Sequence, residues 1–129
     1  MKYQDLVKVS DPEIVYRQFI NLYPPESHIK VSNRSDKKFK IFNPHTQKYF
    51  HFGSACYSDF TKHKDLERLV CNTKPTLSKC NFDNERRERY LARASKIKGS
   101  WKNNIYSANF ASIVLLWNGF NFLKEKGLL

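Results

Sequence analysis

The sequence predicts an α+β fold in which a small three-stranded antiparallel meander packs against three to four helices. A length of 129 residues with 40% apolar content is enough for one hydrophobic core. Short β-rich runs separated by turn residues occupy residues 28–52. Segments with apolar residues at helical spacing lie on both sides of them. We therefore expect a single domain over residues 1–129.

The first predicted helix begins at Asp11-Pro12-Glu13. Asp11 is suited to the N-cap, and the fixed φ of Pro12 is compatible with the first helical position. Val15, Phe19 and Leu22 then recur at helical spacing, so this side of the helix is expected to face the core. Pro24-Pro25 ends the helix, because the residue before a proline is displaced from the α region.

Three strands are predicted next, and the turn residues between them indicate a meander. Their expected bounds are His28–Ser32, Lys37–Phe42 and Gln47–Phe52, with Gly53 ending the third. Within the second strand, Phe39 and Ile41 alternate with Lys38 and Lys40. One face of the sheet is therefore expected to be buried and the other, with its lysines, exposed.

The second half of the chain is predicted to be mainly helical. A short helix or helical turn is expected over 57–70. A loop insertion is expected at about 66–82, a range that overlaps the end of this helix. A helix over 85–97 follows Asp83 as N-cap and ends before Gly99. The last helix, over 107–117, is apolar on most sides and is expected to be the central buried element.

The chain is strongly basic, with 23 Lys and Arg residues against 12 acids and a formal net charge of +11. Self-repulsion of this size favours an anionic partner. Nucleic acid is the first candidate, an acidic protein surface the second and an anionic membrane the third. We expect no membrane span and no secretion, because the sequence shows neither a long apolar run nor a secretory signal.

The strongest local charge signal lies in the helix predicted after Asp83. Four of its cations, at positions 86, 89, 93 and 96, fall within one stripe and could dock along phosphates. The alternative is a solvated face in which Glu85 pairs with Arg89. The residues predicted to bind nucleic acid or another acidic partner are Arg86, Arg87, Arg89, Arg93, Lys96, Lys98 and Lys102.

A second basic group lies on the predicted hairpins and consists of Lys37, Lys38, Lys40 and Lys48. Exposed lysines on a sheet edge prevent edge-to-edge aggregation, and we favour that interpretation.

The three cysteines, Cys56, Cys71 and Cys80, fit no metal-binding spacing. Reduced thiols are expected, and a Cys71–Cys80 bridge is the alternative. No cofactor, metal site or catalytic residue is predicted. A weaker hypothesis is a nuclease-like enzyme that uses Asp59, His63 and Asp65, against which we favour structural roles for these residues.

The segment from Tyr49 to Asn118 resembles a family of small uncharacterised basic proteins encoded by large DNA viruses of algae and protists. The matching pieces are, in order, YFHFG at 49–53, YSDFTKHKD at 57–65, ERRERYLAR at 85–93, Trp101 and LLWN at 115–118. The chain departs from the family in an apparent insertion over 66–82, and in Ala94, where the family usually has a histidine. The resemblance implies a viral origin and a compact domain.

Charge and resemblance together predict a small structural protein of a large DNA virus, a minor capsid or core component that binds capsid protein or the genome. Its expected location is the virion, and the host cytoplasm or nucleus during assembly. Non-specific nucleic-acid binding is the nearest alternative. A host-directed interaction module is a further possibility.

Overall fold

A three-stranded antiparallel sheet organises the chain, as the sequence predicts. The computed structural model describes residues 1–61 and 84–128. The strands are β1 (His28–Val31), β2 (Lys37–Asn43) and β3 (Lys48–Ser54). The helices are α1 (Tyr3–Leu6), α2 (Pro12–Leu22), α3 (Asn84–Ala94), α4 (Ala108–Ala111) and α5 (Phe120–Glu125). The predicted α+β class is confirmed.

The central strand β2 pairs with β1 on one side and β3 on the other. Phe39 lies opposite Phe52, and Ile41 lies between Ile29 and Phe50. Phe39, Ile41 and Phe52 are fully buried, so the apolar residues of the alternating pattern form the core face.

Helix α2 covers this core through the residues that the sequence predicts. The Asp11 carboxylate accepts hydrogen bonds from the backbone N–H groups of Glu13 (3.1 Å) and Ile14 (3.4 Å). These bonds satisfy two of the free N–H groups at the helix start. Val15 and Phe19 are buried. Both the predicted cap and the predicted core face are confirmed.

The predicted central buried element is also confirmed, but it is not a uniform α-helix. Ser107 caps α4 by accepting a hydrogen bond from the Phe110 N–H (3.2 Å), and α4 continues into a π-helical segment, Ser112–Leu116. All four apolar side chains at 113–116 are buried. The chain leaves this segment through a hydrogen bond from the Gly119 N–H to the Ile113 carbonyl (2.8 Å).

The third strand does not end at Gly53, which was predicted to be its stop. The strand continues to Ser54, and Gly53 has φ +82°. A Cβ atom on Gly53 would lie 2.8 Å from Leu116 Cδ1 and 3.2 Å from Lys38 Cδ. The glycine is required here because other elements pack against the strand backbone.

Two helix predictions need correction. Residues 57–61 of the helix predicted over 57–70 are not helical, and its remainder lies outside the described residues together with the predicted insertion and Asp83. Helix α3 ends at Ala94 instead of residue 97, and Ile97 is 51% exposed. The Lys96 and Ile97 N–H groups bond three residues back, and this tighter turn ends the α-helix.

Three short elements of the structure are not predicted from the sequence. They are α1, α5 and a 3₁₀ turn at Ser100–Asn103. Each contributes one buried apolar residue to the core, respectively Leu6, Leu123 and Trp101. Segments this short contain too few residues for a periodic pattern to be recognised.

Cys56 is disulfide-bonded, which corrects the expectation of three reduced thiols. Spacing along the sequence fixes the size of a loop but not the distance between two sulfur atoms in the fold. The proposed partners of the alternative bridge, Cys71 and Cys80, lie outside the described residues. In the described part of the chain, no helix is long and apolar enough to cross a bilayer.

We predict that Gly119→Ala destabilises the protein by about 1–3 kcal/mol, the usual cost of overpacking a core. The added Cβ would lie 2.5 Å from Ile113 Cγ2 and 2.9 Å from the Ile113 carbonyl oxygen, and the latter cannot move without breaking the end of the π-helical segment. Chemical denaturation measures the change. Asn121→Ala, at an exposed position of α5, serves as the control, and equal stability of the two variants would contradict the prediction.

Candidate functional site: a cationic cleft

A cleft of about 610 Å³ opens between the end of the β2–β3 hairpin and helix α3. Residues of α4 and of the π-helical segment complete its wall. The volume lies within the range of small-molecule and cofactor sites. Its described polar and aromatic lining residues are Lys37, Lys38, Phe52, Ser54, Tyr57, Ser58, Asp59, Arg86, Arg89, Tyr90, Arg93, Asn109, Ser112 and Trp117.

Three arginines of α3 line the cleft. Arg86, Arg89 and Arg93 are three and four residues apart, a spacing that places them on one face of the helix. Arg89 is 3.9 Å from Glu85, and both side chains are mostly exposed. This ion pair therefore contributes little to the stability of the protein. Lys37 adds a fourth cation from β2. The predicted basic stripe therefore forms one wall of a cavity.

Aromatic rings stand beside these cations. Tyr90 stacks on Trp117 with ring centroids 4.3 Å apart and 13° between the ring planes. The Arg86 guanidinium lies 5.3 Å from the Trp117 ring and donates a hydrogen bond to Ser58 Oγ (3.1 Å). Burial raises the pKa of Tyr90 to about 12. Tyr57 is 46% exposed at the cleft.

A buried ion pair lies at the inner end of the cleft. Lys38 Nζ is 3.0 Å from Asp59 Oδ2, and the two residues are 2% and 1% exposed. The same ammonium group donates to the Val9 carbonyl at 3.4 Å. Burial lowers the pKa of Lys38, an effect opposed by the charge and hydrogen bond of Asp59. Asp59 is the one carboxylate among the described lining residues, and Lys38 compensates its charge.

The second carboxylate oxygen of Asp59 is also engaged. Asp59 Oδ1 accepts hydrogen bonds from the Thr61 N–H (2.9 Å) and from the Thr61 hydroxyl. The Thr61 oxygen in turn accepts from the Asp11 N–H at 2.8 Å. The Asp59 N–H donates to the Val9 carbonyl, and the Phe60 N–H to the Leu116 carbonyl. This network replaces the helical hydrogen bonds that the sequence predicted for residues 57–61.

The burial of Lys38 contradicts the prediction that all four sheet lysines are exposed. Strand alternation correctly assigns Lys38 to the face opposite Phe39, but loop residues cover that face locally. Its partner Asp59 is 21 residues away in sequence. No local pattern predicts a pair of this separation.

The geometry gives Asp59 a structural role. Both oxygens of its carboxylate are used inside the protein. Its proposed catalytic partners, His63 and Asp65, lie outside the described residues. Within residues 1–61 and 84–128, no group of three or more His, Cys, Asp or Glu side chains is placed to hold a metal ion.

The other predicted partner-binding cations do not line this cleft. Arg87 donates to the carbonyls of Trp117 (3.0 Å) and Asn118 (2.7 Å), which ties α3 to the end of the π-helical segment. Lys96 and Lys98 are exposed beyond the end of α3. Lys102 lines a separate cavity of about 350 Å³.

We predict that Lys38→Met destabilises the protein by about 3–5 kcal/mol, because it leaves a buried carboxylate without its counter-charge. Asp59→Asn retains the acceptor for Thr61 and removes the charge. The double variant should therefore lose less stability than the sum of the two single losses, as measured in a double-mutant cycle by chemical denaturation. Additive losses would show that the two side chains are not coupled.

Comparison with known proteins gives one match. Residues 27–69 match a protein family of unknown function, DUF5754, and the match covers about a third of the chain, including all three strands. No curated protein and no solved structure matches the chain. The similarity to this family therefore extends over the sheet and over one side of the cleft.

Proposed function

We propose that this protein binds nucleic acid, with backbone phosphates entering the cleft between the β2–β3 hairpin and α3. The observation that carries the proposal is the charge of the cleft. Four cations, Lys37, Arg86, Arg89 and Arg93, line it, whereas Asp59, the one carboxylate among its described lining residues, is already paired with Lys38. Several cations grouped in a partly enclosed site attract a polyanion strongly.

The type of cation supports phosphate as the ligand group. A planar guanidinium matches two phosphate oxygens and holds phosphate in a defined orientation. Ser54 and Asn109 add neutral polar groups to the wall. The aromatic groups Tyr57 and Tyr90 offer contacts to the base or sugar attached to such a phosphate.

Charge outside the cleft favours a polymer over a small phosphorylated molecule. Lys96 and Lys98 extend the positive surface past the end of α3, and the whole chain carries a formal charge of +11. A mononucleotide carries only the charge of its own phosphate group, whereas a nucleic-acid strand carries a negative charge at every nucleotide along its length.

The role of minor capsid or core component in a large DNA virus stays a prediction that follows from the resemblance. In a virion, the same cations would contact either the genome or an acidic face of a capsid protein. The salt dependence of binding distinguishes these two partners. Phosphate binding weakens steeply with salt, whereas an interface with capsid protein also buries apolar area and therefore weakens less.

We predict that Arg89→Gln with Arg93→Gln weakens binding to duplex DNA and lowers the steepness of its salt dependence. Each phosphate contact contributes about 0.9 to the slope of log K against log salt, so the slope should fall by about 1.8. Fluorescence anisotropy with a labelled duplex over a range of salt concentrations measures both changes.

The matched control is Lys124→Gln with Lys126→Gln, which removes the same number of charges from the exposed end of α5. Its slope should remain close to that of the unmodified protein. If the two double variants weaken binding equally, net charge rather than the cleft is responsible and the proposed site is wrong.

A further inference from the structure

Three rings form a row across the exposed face of the sheet. Tyr49 of β3 lies opposite Phe42 of β2, which lies opposite His28 of β1. The ring centroids are 5.4 Å apart for Phe42 and Tyr49, and 5.8 Å apart for His28 and Phe42. We call these three side chains the ring row. His28 and Tyr49 are exposed, and Phe42 is half-buried.

Two lysines accompany the ring row on the same face, two residues away along the strands. Lys30 of β1 lies opposite Lys40 of β2, which lies opposite His51 of β3. The Nζ atoms of Lys40 and Lys30 are 4.6 Å and 6.0 Å from the centre of the Tyr49 ring. Desolvation, with the charges of Arg34 and Lys40, lowers the pKa of His51, so the positive charge near neutral pH comes from the lysines.

Protection of the sheet edges, the role favoured for Lys40 from the sequence, does not account for this arrangement. Lys40 lies on the central strand, which has no free edge. The three strands contain five lysines and no aspartate or glutamate. Rings and cations side by side, with no acid within the strands, are complementary to a ligand that carries both planar groups and negative charges.

The ring row and the cleft lie on the same side of the sheet, and loop residues cover that side at Lys38. Strand alternation places Lys38, Lys40 and Phe42 on the same side of β2. Lys38, which lines the cleft, is four residues from Phe42, a distance of about 13 Å along the strand. The Lys30 and Lys40 pair lies between the two ends.

We propose that this face of the sheet binds single-stranded nucleic acid, with unpaired bases stacked on the ring row and phosphates held by Lys30 and Lys40, on a path that leads to the cleft. This inference deepens the proposed function and rests on it for the class of ligand. The strand must be single, because the faces of paired bases are hidden within a duplex and cannot reach a protein ring.

The test compares two labelled single strands of about twelve nucleotides, a length within the usual range of such sites. One is oligothymidylate, and the other is an abasic strand with the same number of phosphates. Fluorescence anisotropy measures the affinity of each strand for the unmodified protein and for Tyr49→Ala, Tyr49→Phe and Tyr3→Ala. Tyr3→Ala is the matched control, since Tyr3 is an exposed tyrosine on α1.

The unmodified protein should bind oligothymidylate more tightly than the abasic strand. Tyr49→Ala should weaken oligothymidylate binding about tenfold, the typical loss for one stacked base, and leave abasic binding unchanged. Tyr49→Phe and Tyr3→Ala should bind as the unmodified protein does. Equal affinity for the two strands, or an unchanged affinity in Tyr49→Ala, would overturn the inference.

Two further measurements distinguish failure of this inference from failure of the cleft proposal. If Arg89→Gln with Arg93→Gln weakens binding while Tyr49→Ala does not, the ring row is wrong and the cleft proposal stands. If the arginine variant binds normally, the cleft proposal fails whatever Tyr49 does. Binding of the sheet face to phosphatidylserine vesicles, lost in Tyr49→Ala, without any binding to oligothymidylate would overturn the inference in favour of a membrane.

Discussion

The buried contact between Lys38 and Asp59 is the constraint on which the rest of the structure depends. Two opposite charges that are almost fully removed from water must stay together, because either one alone in the interior is costly. The pair connects the central strand to the loop after β3, and shared hydrogen bonds extend it to Val9 and Thr61. The N-terminal segment, the sheet and the inner end of the cleft are thereby held in one arrangement.

The same contact determines the electrostatic character of the cleft. With the Asp59 carboxylate engaged internally, the arginines of α3 face a site that lacks a compensating anion among its described lining residues. The ion pair thus supports the fold and keeps the Asp59 carboxylate from compensating the neighbouring cations. The cleft is rigid on this side, which reduces the entropy lost when a ligand binds.

Local patterns were sufficient to predict the meander, the Asp11 cap, and the buried segment after Ser107. Each depends on residues close together in sequence, such as an alternating strand or an N-cap followed by an apolar run. The prediction was wrong for Lys38, for residues 57–61 and for the end of α3. In the first two cases the deciding partner lies far along the chain. The basic wall of the cleft was recognised from α3, but the sheet and loop residues that complete it were not, because only the fold brings them together.

Arg87 affects the orientation of all the arginines of α3 that line the cleft. Its two hydrogen bonds to the carbonyls of Trp117 and Asn118 fix the rotation of α3 about its own axis. This rotation sets the directions in which the other three arginines of the helix project, since each residue turns the helix by about 100°. Insertion of a single uncharged residue between Arg87 and Arg89 would rotate Arg89 and Arg93 away from the cavity without changing the net charge. Among relatives of this protein, the length of α3 should therefore vary less than the identity of its exposed residues.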